Sequence, residues 1–302
     1  MVMKNWRSRR SQDEPTPGDG SGPILIHALD GFMGAGSAAR LAAAQLKTGR
    51  GEVVHEFDLD EMFDYRARRP MMSFRENHYA DYEDPKLQIV LEHDVDGQAY
   101  LLLSGPEPDF LWERFIDEIH DVIQEHDVPL TLGLAAVPMG VPHTRPSMIT
   151  AHGNRPELVD RQNMWSAEVT VPSSAQALLE YRLGQIGHDA AGYVVHVPHY
   201  LAQIDYPPAA LALIDALVDR TGLVIDVEPL RARQGDALKE IEAQIAEQGG
   251  TSVLSGLEEQ YDAFTRGAAQ SLLASDEDLP SGDELADQFE QFLARQRKDD
   301  QN

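Results

Sequence analysis

An apolar stretch at residues 130–137 runs straight into three prolines, and that junction constrains the fold more than any other part of the chain. Leu-Thr-Leu-Gly-Leu-Ala-Ala-Val reads as a buried strand. Pro138, Pro142 and Pro146 then forbid helix and stiffen the backbone. Between the last two stand His143, Thr144 and Arg145: a switchable base, a hydroxyl and a permanent cation. Open α/β sheets place ligands at the carboxyl ends of their strands, so these three residues form a candidate site. The alternative is a structural loop whose arginine pairs with a neighbouring carboxylate.

The chain around this junction alternates between strand and helix patterns. Strands are expected at 24–29, 52–57, 87–93, 98–103, 147–151, 167–171 and 192–197, and helices at 37–46, 109–126, 173–186 and 207–221. Asp109 is the expected N-cap of the second helix, whose apolar stripe includes Phe115, Ile119 and Val122. Asp94-Val-Asp-Gly97 signals a hairpin, which makes the sheet mixed. The expected fold is α/β, a mixed, mostly parallel sheet with helices on both faces, followed by a small C-terminal helical extension. Residues 1–22 read as a disordered lead, 23–225 as the α/β domain and 226–274 as a helical hairpin of two helices, the first at 237–248. Residues 275–302 read as an acidic linker and a tail helix. Residues 60–85 show neither period and carry Arg66, Arg68, Arg69 and Arg75, so they are expected to be an irregular segment at a site or interface.

Bulk numbers exclude several classes. The absence of cysteine removes disulfides, thiol nucleophiles and cysteine-ligated metals. A net charge of −26 repels phosphate backbones and anionic membranes, so neither nucleic acid nor membrane is an expected partner. No apolar run approaches a membrane span, and the polar residues after Arg9-Arg10 do not form a signal core. A cytoplasmic protein is expected.

Other constellations add candidates. Gly31, Gly34 and Gly36 lie in the turn after the first strand, where backbone amides at a helix N-terminus could face an anion. The spacing is not that of a dinucleotide or P-loop motif, and Asp30 puts a negative charge at the mouth, so a tight strand–helix turn competes with a phosphate cradle. His152, His196 and His199 end strands and could converge with His143 at one sheet edge. Without cysteine or a helical HExxH pair they make a weak zinc signature, so no metal and no cofactor is expected. Hydrogen-bonded loop anchors are the other interpretation of these histidines. No GxSxG elbow is present.

Asp30-Gly-Phe with Ala-Gly soon after, Val-Pro-His-Thr-Arg-Pro at 141–146, Ala-His-Gly at 151–153 and His-Val-Pro-His-Tyr-Leu at 196–201 together carry a resemblance. Over residues 24–270 the chain resembles the proteasome assembly chaperone two family, most closely its actinobacterial branch. The resemblance implies an α/β sandwich of the phosphorylase/hydrolase-like kind, with a helical extension. It also implies self-association, since relatives in eukaryotes and archaea are oligomeric chaperones or partners of the proteasome α-ring. Those that dock on the proteasome use a hydrophobic-tyrosine-any tail; this chain ends Lys298-Asp-Asp-Gln-Asn302, so docking of that type is not expected.

Two functions follow. The first is a non-catalytic, oligomeric assembly-chaperone-like or interaction protein, with a trimer as one candidate order and Leu285, Phe289, Phe292 and Leu293 as a tail-helix contact stripe. The second is an enzyme acting on an anionic small molecule at the strand ends, of nucleoside phosphorylase or amide ligase/hydrolase type.

Overall fold

A computed structural model describes residues 22–159, 163, 168, 170–247 and 251–273. Its centre is a seven-stranded sheet. The strands are β1 (Ile24–Asp30), β2 (Glu52–Glu56), β5 (Gln88–His93), β6 (Ala99–Pro106), β7 (Thr131–Met139), β8 (Ile149–Gly153) and β9 (Ala190–Pro198), in the order β2-β5-β6-β1-β7-β9-β8. The four neighbours β6, β1, β7 and β9 run parallel, while β5 and β8 run against them. Mixed but mostly parallel, the sheet has the expected architecture.

Helices cover both faces. On one face α1 (Ala38–Leu46) and α5 (Pro207–Thr221) bury Leu41, Leu46, Leu213, Ile214 and Leu217 against the sheet. α6 (Glu228–Glu247) adds Leu230 and Ile241 to that layer. On the other face α3 (Trp112–Glu125) and α4 (Ala175–Ile186) pack on Leu25, Leu29, Leu101 and Leu103. The α3 stripe buries Phe115, Ile116, Ile119, Val122 and Ile123, each worth about 1.5–3 kcal/mol. A last helix, α7 (Thr251–Leu273), follows α6.

Four sequence-based expectations need correction. Residues 60–85 are not wholly irregular: α2 (Leu59–Met62) is followed by a two-stranded arm, β3 (Ser73–Arg75) and β4 (His78–Ala80). Glu76 makes its turn at φ +52°. Asp109 does not cap α3, because Leu111 at φ +57° stands between them; Asp109 instead receives Arg68. At residues 168, 170 and 171 no strand forms. α6 starts nine residues earlier than the apolar spacing suggests, with Pro229 in its first turn, where the missing amide proton costs nothing. The tail stripe Leu285, Phe289, Phe292 and Leu293 lies outside the described residues.

Candidate functional site

The loop after β7 is held from three sides. His143 is buried; its backbone N–H donates to the Tyr200 hydroxyl at 3.0 Å, and its Nδ1 lies 2.8 Å from the same oxygen. Arg145 forms a two-point pair with Asp262 of α7, Nε to Oδ1 at 2.8 Å and Nη2 to Oδ2 at 2.9 Å. Its Nη1 reaches Glu258 at 3.2 Å, Thr144 donates to the same carboxylate, and the Tyr261 hydroxyl donates to the Pro146 carbonyl at 2.9 Å. Arg145 keeps the Asp262 carboxyl below its ordinary range. Thr144 and Arg145 thus clamp α7 onto the strand ends. That is the structural alternative for this loop, and it leaves a ligand only what the clamp does not use.

The expected convergence holds for most residues and fails for one. The Gly31–Gly36 turn touches both the loop after β9 and β7: Gly36 N–H donates to Ala202 O at 2.9 Å, and Ala136 N–H to Met33 O at 2.8 Å. His196 and His199 end β9 at the same side of the molecule. His196 is buried, with Nε2 2.9 Å from Thr150 Oγ1, and desolvation lowers its pKa; His199 is exposed beside the Tyr200 ring. His152 does not join them. Because β8 runs antiparallel to β9, His152 pairs in register with Gly192 near the start of β9, a strand length away. Its Nδ1 lies 2.7 Å from the Glu180 carboxylate of α4.

Three amides of the glycine-rich turn are already engaged, which argues against an open anion cradle. Phe32 N–H donates to Glu107 Oε2 at 2.8 Å, Gly36 N–H to Ala202 O, and Ser37 N–H to Gly34 O at 3.0 Å. Glu107 is buried at the end of β6, and its other oxygen accepts the Ala175 N–H of the first turn of α4 at 2.7 Å. Glu107 thus supplies a carboxylate both to the turn and to the N-terminus of α4, in keeping with the tight-turn alternative. Gly36 sits at φ +61°, and a β-carbon there would press on Tyr206 and Val197, so no side chain fits. Gly31 and Asp30 line a shallow cavity with Arg68, Glu107 and Trp112, and Gly34 bridges to β7 at Ala136.

Sequence reasoning missed a polar row across the sheet. His27, Gly133, Gly192 and His152 are register partners on β1, β7, β9 and β8. A β-carbon on Gly133 would lie 2.6 Å from the His27 ring, and one on Gly192 would lie 2.7 Å from the His152 ring. The two imidazoles therefore occupy the space the glycines vacate. α4 covers the row with Gln176, 3.3 Å from His27 Nδ1, and with Glu180. Burial pushes the His27 pKa down to about 4. The available signal was a histidine inside an apolar strand and a glycine in each of two others.

Among the described residues no group of three or more His, Asp or Glu could hold a metal ion, and no helix is long and apolar enough to cross a membrane. The PAC2 family pattern matches residues 28–248. The chain belongs to the PAC2 family. Among solved structures, this PAC2 protein is similar to Rv2714 of Mycobacterium tuberculosis, a protein of unknown function, at 45% identity and TM-score 0.78, covering 82% of this chain and 88% of that one. A Corynebacterium glutamicum protein of unknown function matches at 34% identity and TM-score 0.76, over 83% and 94% of the two chains. The proteasome-assembly chaperone homologue Rv2125 of Mycobacterium tuberculosis shares 24% identity at TM-score 0.67, over 74% and 96%, which shows a common fold. No curated protein matches this PAC2 chain.

Proposed function

We propose that the protein is a non-catalytic, cytoplasmic assembly-chaperone-like or interaction protein that works as a homo-oligomer, and that the β3–β4 arm is its principal contact. The observation that carries this reading is the arm itself. Phe74 and Tyr79 are cross-strand partners with ring centroids 5.2 Å apart, yet they are 63% and 71% exposed. Met71, Met72 and Tyr82 extend the same exposed apolar segment. Soluble monomers seldom keep such a patch in water. Arg66 and Arg69 lie just before the arm, where they could pair with carboxylates of a second copy. Closed symmetry, a dimer or trimer, is the natural outcome. Family membership supports an assembly role; the proteasome is not proposed as the partner.

The alternative of an enzyme acting on an anion has less support, because Glu107 fills the glycine turn and α7 engages Arg145. Light-scattering mass tests the proposal. The wild-type chain should exceed its monomer mass of 33.5 kDa at micromolar concentration. Phe74→Ser with Tyr79→Ser should return it to monomer with an unchanged circular-dichroism spectrum. A monomeric wild type, or an oligomer indifferent to both changes, would refute the arm's role.

A further inference from the structure

The loop at 143–149, α5 and α6 enclose a cleft of about 450 Å³, a size typical of small-molecule sites. Its floor is apolar: Ile149, Leu211 and Leu238. Its walls carry opposite charges, Asp215 from α5 and Arg231 from α6. Neither side chain has a hydrogen-bond or ion-pair partner among the described residues, although both line the same cleft. An unpaired cation and an unpaired anion in one cleft can each serve a ligand group of opposite charge.

His143 lines the same cleft. The Tyr200 oxygen accepts the His143 backbone proton and lies 2.8 Å from Nδ1, as donor or acceptor according to the ring tautomer. The other ring nitrogen, Nε2, is buried and has no hydrogen-bond partner among the described residues. Burial holds the ring neutral against the pull of Glu242 and Glu258.

We propose that this cleft binds a small zwitterion with an apolar body, of the apolar α-amino acid class. Arg231 takes the carboxylate, Asp215 takes the ammonium, and the apolar body rests on Leu211, Leu238 and Ile149. A net anion is disfavoured, because Arg145 at the rim is committed to Asp262 while Glu242 and Glu258 face His143. The site is distinct from the β3–β4 arm and stands or falls independently of the oligomer.

Calorimetry on the full chain tests it with leucine, methionine and phenylalanine, with isoamylamine (no carboxylate), with N-acetyl-leucine (no ammonium) and with inorganic phosphate. At least one of the three amino acids should bind, and the two truncated analogues about tenfold or more weaker, the worth of one charge-assisted hydrogen bond. Arg231→Ala and Asp215→Ala, both at exposed positions, should each weaken binding by about tenfold or more while the ligand-free melting temperature stays put. No binding by any of the three up to about 10 mM, weaker than any specific small-molecule site, would overturn the proposal. So would equal binding by the truncated analogues, unaffected binding in Arg231→Ala, or phosphate binding more tightly than the amino acids.

Discussion

Glu107 joins two elements that are far apart in the chain, and its removal should be felt in both. Its carboxylate accepts the Phe32 N–H of the glycine turn and the Ala175 N–H of α4, and its backbone carbonyl accepts from Arg68. Glu107→Ala deletes both carboxylate bonds. A hydrogen bond to a charged group is worth about 1.5–3 kcal/mol, and the Ala175 amide, which is buried, loses that in full. The Phe32 amide is only partly buried, beside an open cavity of about 470 Å³. Water can replace its partner there, so the loss is about 0.5–1.5 kcal/mol. The sum is about 2–4.5 kcal/mol. With an m-value of about 3 kcal/mol/M for a domain of this size, the urea midpoint should fall by about 1 M at constant slope. Glu107→Gln keeps one acceptor oxygen but turns an NH₂ toward the second amide, so it should lose about 1–3 kcal/mol. An alanine variant within about 0.5 kcal/mol of wild type, the range of an inconsequential surface change, would show that Glu107 does not tie the turn to α4.

Gly133→Ala should destabilise by about 1–3 kcal/mol, because its β-carbon meets the His27 ring. In the Gly133→Ala, His27→Ala double variant the loss should be smaller than the sum of the singles, by denaturant titration. His27 and His188 are both pushed by burial to about 4, below the ordinary 6.5. The unfolded chain therefore takes up nearly two more protons near pH 5, so these groups' contribution is whole above about pH 6.5 and is lost as pH falls toward 4. His27→Gln should flatten the stability slope in that window, and an unchanged slope would refute the assignment. Arg145→Ala should speed amide exchange across α7 while leaving β1 and β7 protected, and salt should act in the same direction because the pair is partly exposed. Unchanged α7 protection would show that the clamp does not hold the helix.

The sheet and its covering helices were legible because apolar strands and the α3 stripe report burial directly. Strand direction was not. The nine residues between β7 and β8 are too few for a parallel crossover, which needs about a dozen or more. That length was the available warning that β8 reverses and carries His152 to the far end. The start of α6 was hidden by Gly235, which interrupts the helical pattern without breaking the helix. The arm was hidden because its two three-residue strands leave Phe74 and Tyr79 exposed and so show no inside–outside alternation. His143, Thr144 and Arg145 were legible as a set of polar groups on a stiff loop. Their use by α7 was not, because Glu258 and Asp262 lie more than a hundred residues away. Glu107 carried no local signal at all; its role exists only once β6 ends beside β1.

Strand order also dictates a sequence of events while the chain is being made. β5 and β6 can pair as a hairpin as soon as they emerge; β1 can then join β6, and β7 can join β1. β8 cannot take its place on arrival, because its sheet partner is β9, made later and inserted between β7 and β8. At ordinary elongation rates the roughly 45 residues from the end of β8 to the end of β9 occupy the ribosome for roughly two to nine seconds. Throughout that interval Ile149–Gly153 lacks its one sheet neighbour, and unpaired backbone edges are what recruit other chains. In the finished sheet, Asn163 covers one register of that outer edge, its side-chain amide bonding both the N–H and the carbonyl of Ala151.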